Sequence, residues 1–343
     1  MQDSLFPDAE PAPDPPRSKA RKRSSTVEPA VPNPASQALA AALPPTLRLG
    51  TSSWYFPGWD GLVWDGEYEQ AQLSKEGLRA YAQHPLLRTV SLDRAFYRPL
   101  TVSQYAAYAA QVPDDFRFVV KAPSLIADAS LRGDDGKSLS HNALFLDPDT
   151  TLREFLRPAL EGLGHKLGAL VFQLSPLPGL MLATIDQQIA KLDALLAALP
   201  DLRLAAPDAV VAVEVRNREW LTPAFTAVLK RHRATYCLGL HAKMPPIAEQ
   251  LPILRALWPG PLVCRWNLHM RHGAFGYESA REEYAPFDKL VDPDPETRQQ
   301  LARVIAGTVA HGVLAYVTLN NKAEGSAPLS IAALAQAVLD VRR

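Results

Sequence analysis

From Leu47 onward the chain alternates short apolar runs with stretches able to form helices. Eight runs stand out: LRLGTSSW, LLRTVSLD, FRFVVKAP, LGALVFQL, AVVAVEVR, ATYCLGL, PLVCRWNL and VLAYVTLN. Each is short and rich in residues that suit strands. Between them lie helix-compatible stretches such as LSKEGLRAYAQH, TIDQQIAKLDALLAALP and TPAFTAVLKRH, and LSIAALAQAVLDVRR closes the chain. Successive strands can pair in parallel only across a long connection, usually a helix. The alternation therefore predicts an α/β fold with a parallel sheet, and eight units predict a closed (β/α)8, or TIM, barrel. An open doubly wound sheet would carry a glycine fingerprint after its first strand. The first turn here, GTSSWYFPGW, contains no G-x-G-x-x-G.

The first 45 residues follow another rule. They hold ten of the 31 prolines and few large apolar residues. Such a segment buries too little apolar surface to offset its ordering entropy. We expect a disordered tail over residues 1–45 and a barrel domain over 46–343. The tail contains a basic run, RSKARKR (Arg17–Arg23), which allows contact with nucleic acid or an acidic partner. The whole chain has a formal net charge of zero, so the body offers no broad field for nucleic acid or membrane. No apolar run is long enough to span a bilayer, and the N-terminus lacks the apolar region of a secretory signal. The two cysteines, Cys237 and Cys264, lie in separate apolar runs and read as small core residues, which suits a reducing cytoplasm.

In a parallel barrel the reacting groups sit at the C-terminal ends of the strands. The eight runs end on Ser52, Ser53 and Trp54; Ser91 and Asp93; Lys121; Gln173; Glu214 and Arg216; His241; Arg265 and Asn267; and Asn320, Asn321 and Lys322. Side chains two apart share a strand face. Ser91 with Asp93, Glu214 with Arg216, Arg265 with Asn267, and Thr318 with Asn320 should therefore point into the barrel mouth. Two uses fit this pattern, a binding site or a salt-bridge lattice that caps the core. As a site it carries excess cation, from Lys121, Arg216, Arg265 and Lys322, and favours a small anionic or phosphorylated ligand. Glu214, Lys121 and Asp93 are the candidate catalytic groups. Arg216, Arg265, Asn267, Gln173, Asn320, Asn321, Lys322 and Trp54 are the candidate substrate-binding groups. Gly325, Ser326 and Pro328 mark the start of the last helix, whose free N–H groups offer a second place for an anion. The carboxylates and histidines at strand ends are too few to predict a metal site, and nothing names a cofactor. The aromatic stretch TSSWYFPGWDGLVW reads either as a stacking wall or as a loop anchored on the rim.

Several of these stretches together resemble the DUF72 (YecE-like) family: GTSSWYFPGW, TVSLDRAFYRPLT, FRFVVKAP, LGALVFQL, AVEVRNREW and VTLNNKAEGSAP. The resemblance covers nearly everything after the tail and implies a TIM barrel, with no known reaction attached. It places the family's strand-end Glu and Arg on Glu214 and Arg216, its lysine on Lys121, its glutamine on Gln173 and its asparagines on Asn320 and Asn321. It also shows departures. Ser91 stands where the family pattern has an acid, Asp93 where it has an amide, and Asp128 where a histidine usually follows the strand-end lysine.

Overall fold

Eight parallel strands close into a barrel in the computed structural model, which describes residues 26–132 and 138–342. The strands are β1 (Leu47–Thr51), β2 (Thr89–Leu92), β3 (Arg117–Lys121), β6 (Leu167–Gln173), β7 (Val210–Glu214), β8 (Thr235–Leu240), β9 (Leu262–Trp266) and β10 (Ala315–Leu319), with β4 (Ser130–Arg132) and β5 (Ser138–His141) forming a separate antiparallel ribbon after β3. Around the barrel the order is β1-β10-β9-β8-β7-β6-β3-β2. All eight expected strands are present, and helices pack around them, as the alternation predicts for a TIM barrel. The ribbon was not expected, because its polar sequence carries no apolar period.

The two-residue period divides each strand between two cores. Val119, Val171, Ala212, Cys237 and Val263 fill the barrel interior. Their neighbours Val120, Leu170, Phe172, Val213, Leu238 and Cys264 face the helical layer. At the N-terminal end the interior is closed by Tyr316 and an ion-pair cluster. Arg117 Nε donates to Asp208 Oδ2 at 2.9 Å, and Tyr316 donates to the Asp208 carbonyl at 3.1 Å. The other end carries the polar strand-end residues and is the candidate site. No helix among the described residues is long and apolar enough to cross a membrane.

Residues 26–45 correct the expected extent of the tail. Pro34–Ala42 is a helix, with Asn33 Oδ1 accepting from Ala35 N at 2.9 Å and proline in the first turn. Leu39, Ala40 and Leu43 pack against the main core, and Val27 is 3% exposed. Ala30 N donates to the Val63 carbonyl, tying the segment to the loop after β1. Averaging composition over 45 residues hid the run ASQALAAAL, whose alanines favour helix strongly. The basic run Arg17–Arg23 lies outside the described residues.

Candidate functional site at the barrel mouth

Arg265, on β9, is the centre of the mouth. It is 2% exposed, and its guanidinium reaches groups from three other strands. Nη1 donates to Glu214 Oε2 at 2.7 Å and to Gln173 Oε1 at 2.8 Å. Nη2 donates to both oxygens of Asp93, at 2.9 and 2.7 Å. Arg216 takes the other side of Glu214, with Nη2 at 2.6 Å from Oε1, and Nη2 also reaches Gln173 Oε1 at 3.2 Å. Asn267 Nδ2 donates to Glu214 Oε1 at 3.3 Å, and Ser91 donates to Asp93 at 2.6 Å. The i, i+2 pairs on β2, β7 and β9 thus converge, together with Gln173 from β6. Register explains part of this. Gln173 lies opposite Glu214 on β6 and β7, while both Gly239 and Thr318 lie opposite Arg265.

The charges set one another. Burial works to raise the pKa of Glu214, but the Arg216 and Arg265 guanidiniums outweigh it and hold the carboxyl below its ordinary value. Burial likewise works against a charged Arg265, and Asp93 and Glu214 more than compensate. Both Glu214 oxygens are committed to these partners. Lys121 differs. It is 9% exposed, and its ammonium lies 3.6 Å from the centroid of the Phe96 ring. No carboxylate or carbonyl among the described residues accepts from it. Burial pulls its pKa down to about 7, an effect that Asp93 opposes and Arg265 reinforces.

The remaining candidates divide. Asn320 is at the rim, where its Nδ2 donates to the Tyr277 hydroxyl at 3.1 Å. Lys322 stands beside it, its ammonium 4.1 Å from the Tyr277 ring centroid, and burial pulls its pKa to about 8. His241 is half-buried, and burial pulls its pKa to about 4, so its ring is neutral at pH 7. Asn321 does not join the mouth. Its Oδ1 accepts from Trp59 Nε1 at 3.2 Å and from Ala327 N at 2.8 Å, which fixes the start of the C-terminal helix Ala327–Arg342. Trp54 also stays outside, with Nε1 donating to the Leu73 carbonyl at 3.0 Å and its ring edge-on to Tyr108. Trp59 and Trp64 are fully buried, so the aromatic loop is anchored on the rim by its own rings.

The start of the last helix is closed to a ligand, contrary to the expectation of a second anion position. Ser326, Ala327 and Pro328 are buried. The segment around Val291 folds over them, with Val291 N and Asp292 N donating to the Glu324 carbonyl. Gly325 permits this approach. Its φ is +116°, and a Cβ there would stand 2.6 Å from the Lys289 carbonyl oxygen.

Three contributors escaped the sequence reading. Phe96 and Tyr277 lie on connections, where no period marks them. Gly239 had a signal, a glycine inside an apolar strand, which often marks close approach. A Cβ at Gly239 would lie 3.3 Å from both Glu214 Oε1 and Arg216 Nη1. A carboxylate and histidine cluster beyond β9, formed by His272, Glu283 and Asp292, has metal-like spacing, but Arg271 already supplies its positive charge by pairing with both carboxylates. A groove of about 930 Å³ lies at the opposite end of the barrel. None of the residues lining it, such as Pro200, Lys230 and Trp258, has a buried polar side-chain atom without a partner.

The fold and this mouth define a TIM-barrel protein with a charged, largely buried site at the C-terminal ends of its strands. The chain belongs to the family described as "Protein of unknown function DUF72", whose model matches residues 48–342. A DUF72 family protein from Enterococcus faecalis is similar in structure, with 20% identity and a TM-score of 0.56 over 86% of this chain and 95% of that one. Another from Thermotoga maritima is 19% identical, with a TM-score of 0.52 over 86% of this chain and 99% of that one. These likenesses bear on the fold alone. Comparison with curated proteins gives no match.

Proposed function

We propose that the protein is an enzyme that acts on a small anionic substrate held at the mouth of the barrel. One observation carries this reading: Arg216 leaves a buried guanidinium nitrogen unfilled there, beside Lys121, whose ammonium rests on a ring and not on a carboxylate. Lys121 has only the Phe96 ring, and Arg216 Nη1 is buried without an acceptor. An unfilled buried donor costs about 1–3 kcal/mol, and more when charged. A bound anion would recover that cost. Asp93 and Glu214 serve mainly to hold the two guanidiniums in place, which leaves Lys121 as the group able to exchange a proton near neutral pH.

Titration calorimetry and thermal shift with phosphate and small carboxylates test the binding half. The wild type should be stabilised, and Arg216→Met should lose at least tenfold in affinity. If neither anion class stabilises the wild type, the reading is wrong. A second reading is favoured by the way Asp93, Gln173, Glu214 and Asn267 bond to one another through Arg265 and Arg216: a barrel that binds without turnover. A metabolite that stabilises the protein and is never consumed would support it.

A further inference from the structure

Lys121 and Arg216 share the mouth but differ in what they lack. Arg216 is anchored by one nitrogen on Glu214 and Gln173, and its Nη1 is the group left over. A guanidinium nitrogen with hydrogens to spare suits a carboxylate oxygen. Lys121 has no anchor of this kind. It is nine-tenths buried, its ammonium rests on an aromatic face, and no ion pair among the described residues holds its proton. A surface lysine titrates near about 10.4 and is almost wholly protonated at neutral pH. Lys121, drawn by burial to about 7, is neutral in a large fraction of molecules there. Desolvation in an apolar pocket next to another cation is a recognised way to make a lysine amine nucleophilic.

We infer that Lys121 forms a covalent imine with a small 2-oxo acid, whose carboxylate is received by Nη1 of Arg216. This rests on the reading of the mouth as an anion site and names the substrate class. The neutral amine attacks the carbonyl carbon, a C–N bond forms, and the carbonyl oxygen takes up a proton. The nitrogen gives up one proton and keeps the other; the hydroxyl gains a second proton and leaves as water as the nitrogen lone pair closes the C=N bond, which gives a protonated iminium. Solvent can supply and remove these protons on the side of Asp93, whose side chain is 31% exposed. No oxidant, reductant or metal enters the balance. The Phe96 face stabilises the positive iminium that results as it does the ammonium. Gly239 keeps the space beside Arg216 Nη1 free of a side chain.

The test is reductive trapping on the full chain at neutral pH, with pyruvate and glyoxylate as probes and cyanoborohydride as reductant, followed by peptide mass mapping. The expected result is one dominant adduct on the peptide carrying Lys121. It should be absent in Lys121→Arg, which keeps the charge and tests the amine without emptying the site. Arg216→Lys should slow trapping by at least tenfold while leaving any labelling of surface lysines unchanged. Adducts spread over surface lysines at equal rates in wild type and Lys121→Arg would overturn the inference. Thermal shift with pyruvate and phosphate separates the two levels. Stabilisation that depends on Arg216 without an adduct at Lys121 rejects the amine chemistry and keeps the anion site. Neither stabilisation nor adduct rejects both.

Discussion

Arg265 shows at the scale of a single residue how a buried charge is tolerated. It touches two carboxylates and an amide, and each of those groups depends on it in turn. Removing one member of such a network costs far more than the network contributes as a whole, because the partners stay buried and uncompensated. Arg265→Leu should therefore destabilise the protein by about 3–5 kcal/mol, measured by urea unfolding. A loss below about 1 kcal/mol would mean that water enters the mouth freely. Gly239 acts by absence. In Gly239→Ala the Glu214 and Arg216 side chains must each yield a few tenths of an ångström. The expected outcome is weaker phosphate binding with a melting temperature close to wild type, read by calorimetry and thermal shift. The glycine was visible in ATYCLGL, but its partners come from β7, distant in sequence, so only the fold shows what it makes room for.

At the scale of elements, strands were far easier to read than what lies outside them. The eight runs carried their own signal, a short apolar stretch with polar residues at its end. The helix Pro34–Ala42 was masked by prolines on either side, although its Asn-Pro start and alanines were present in the sequence. Its attachment has measurable weight. A chain starting at Thr46 loses the burial of Val27 and the pairing of Ala30 with Val63. It should melt several degrees below a chain starting at Thr26, since about 1 kcal/mol shifts the melting point of a domain this size by a few degrees. Equal melting points would show that the segment only rests on the barrel. The aromatic loop after β1 left two readings open. Trp59 bonding to Asn321, far along the chain, decides for an anchor and removes Asn321 from the site as well.

The whole molecule separates its functions by end. The N-terminal end of the barrel is stoppered by Tyr316, Arg117 and Asp208, while the mouth keeps lysines that burial has made less basic. This gives stability a pH signature. The pKa of Lys121 is lower in the folded chain, about 7, than in the unfolded one. Between that value and the ordinary lysine range the unfolded state binds more protons, so this term makes the fold more stable as pH rises. The penalty is fully present below pH 7 and fades above it. Lys121→Met should consequently gain stability over wild type near pH 7, and the gain should shrink towards pH 10. Denaturant unfolding at several pH values measures it, and a constant difference would mean that Lys121 titrates normally.

The sequence by itself determined the barrel, because each strand announces itself over a few residues and eight of them leave one closed parallel arrangement. It also located the mouth, since polar residues at strand ends stand out against apolar interiors. Which of those residues act together was decided only by the tertiary structure. Glu214, Asp93 and Gln173 meet because register brings three strands to one guanidinium, and periodicity cannot report register between distant strands. Lys121 differs from the other lysines only in what surrounds it. Its Phe96 contact and its burial come from separate segments, and it is that environment which lowers its pKa.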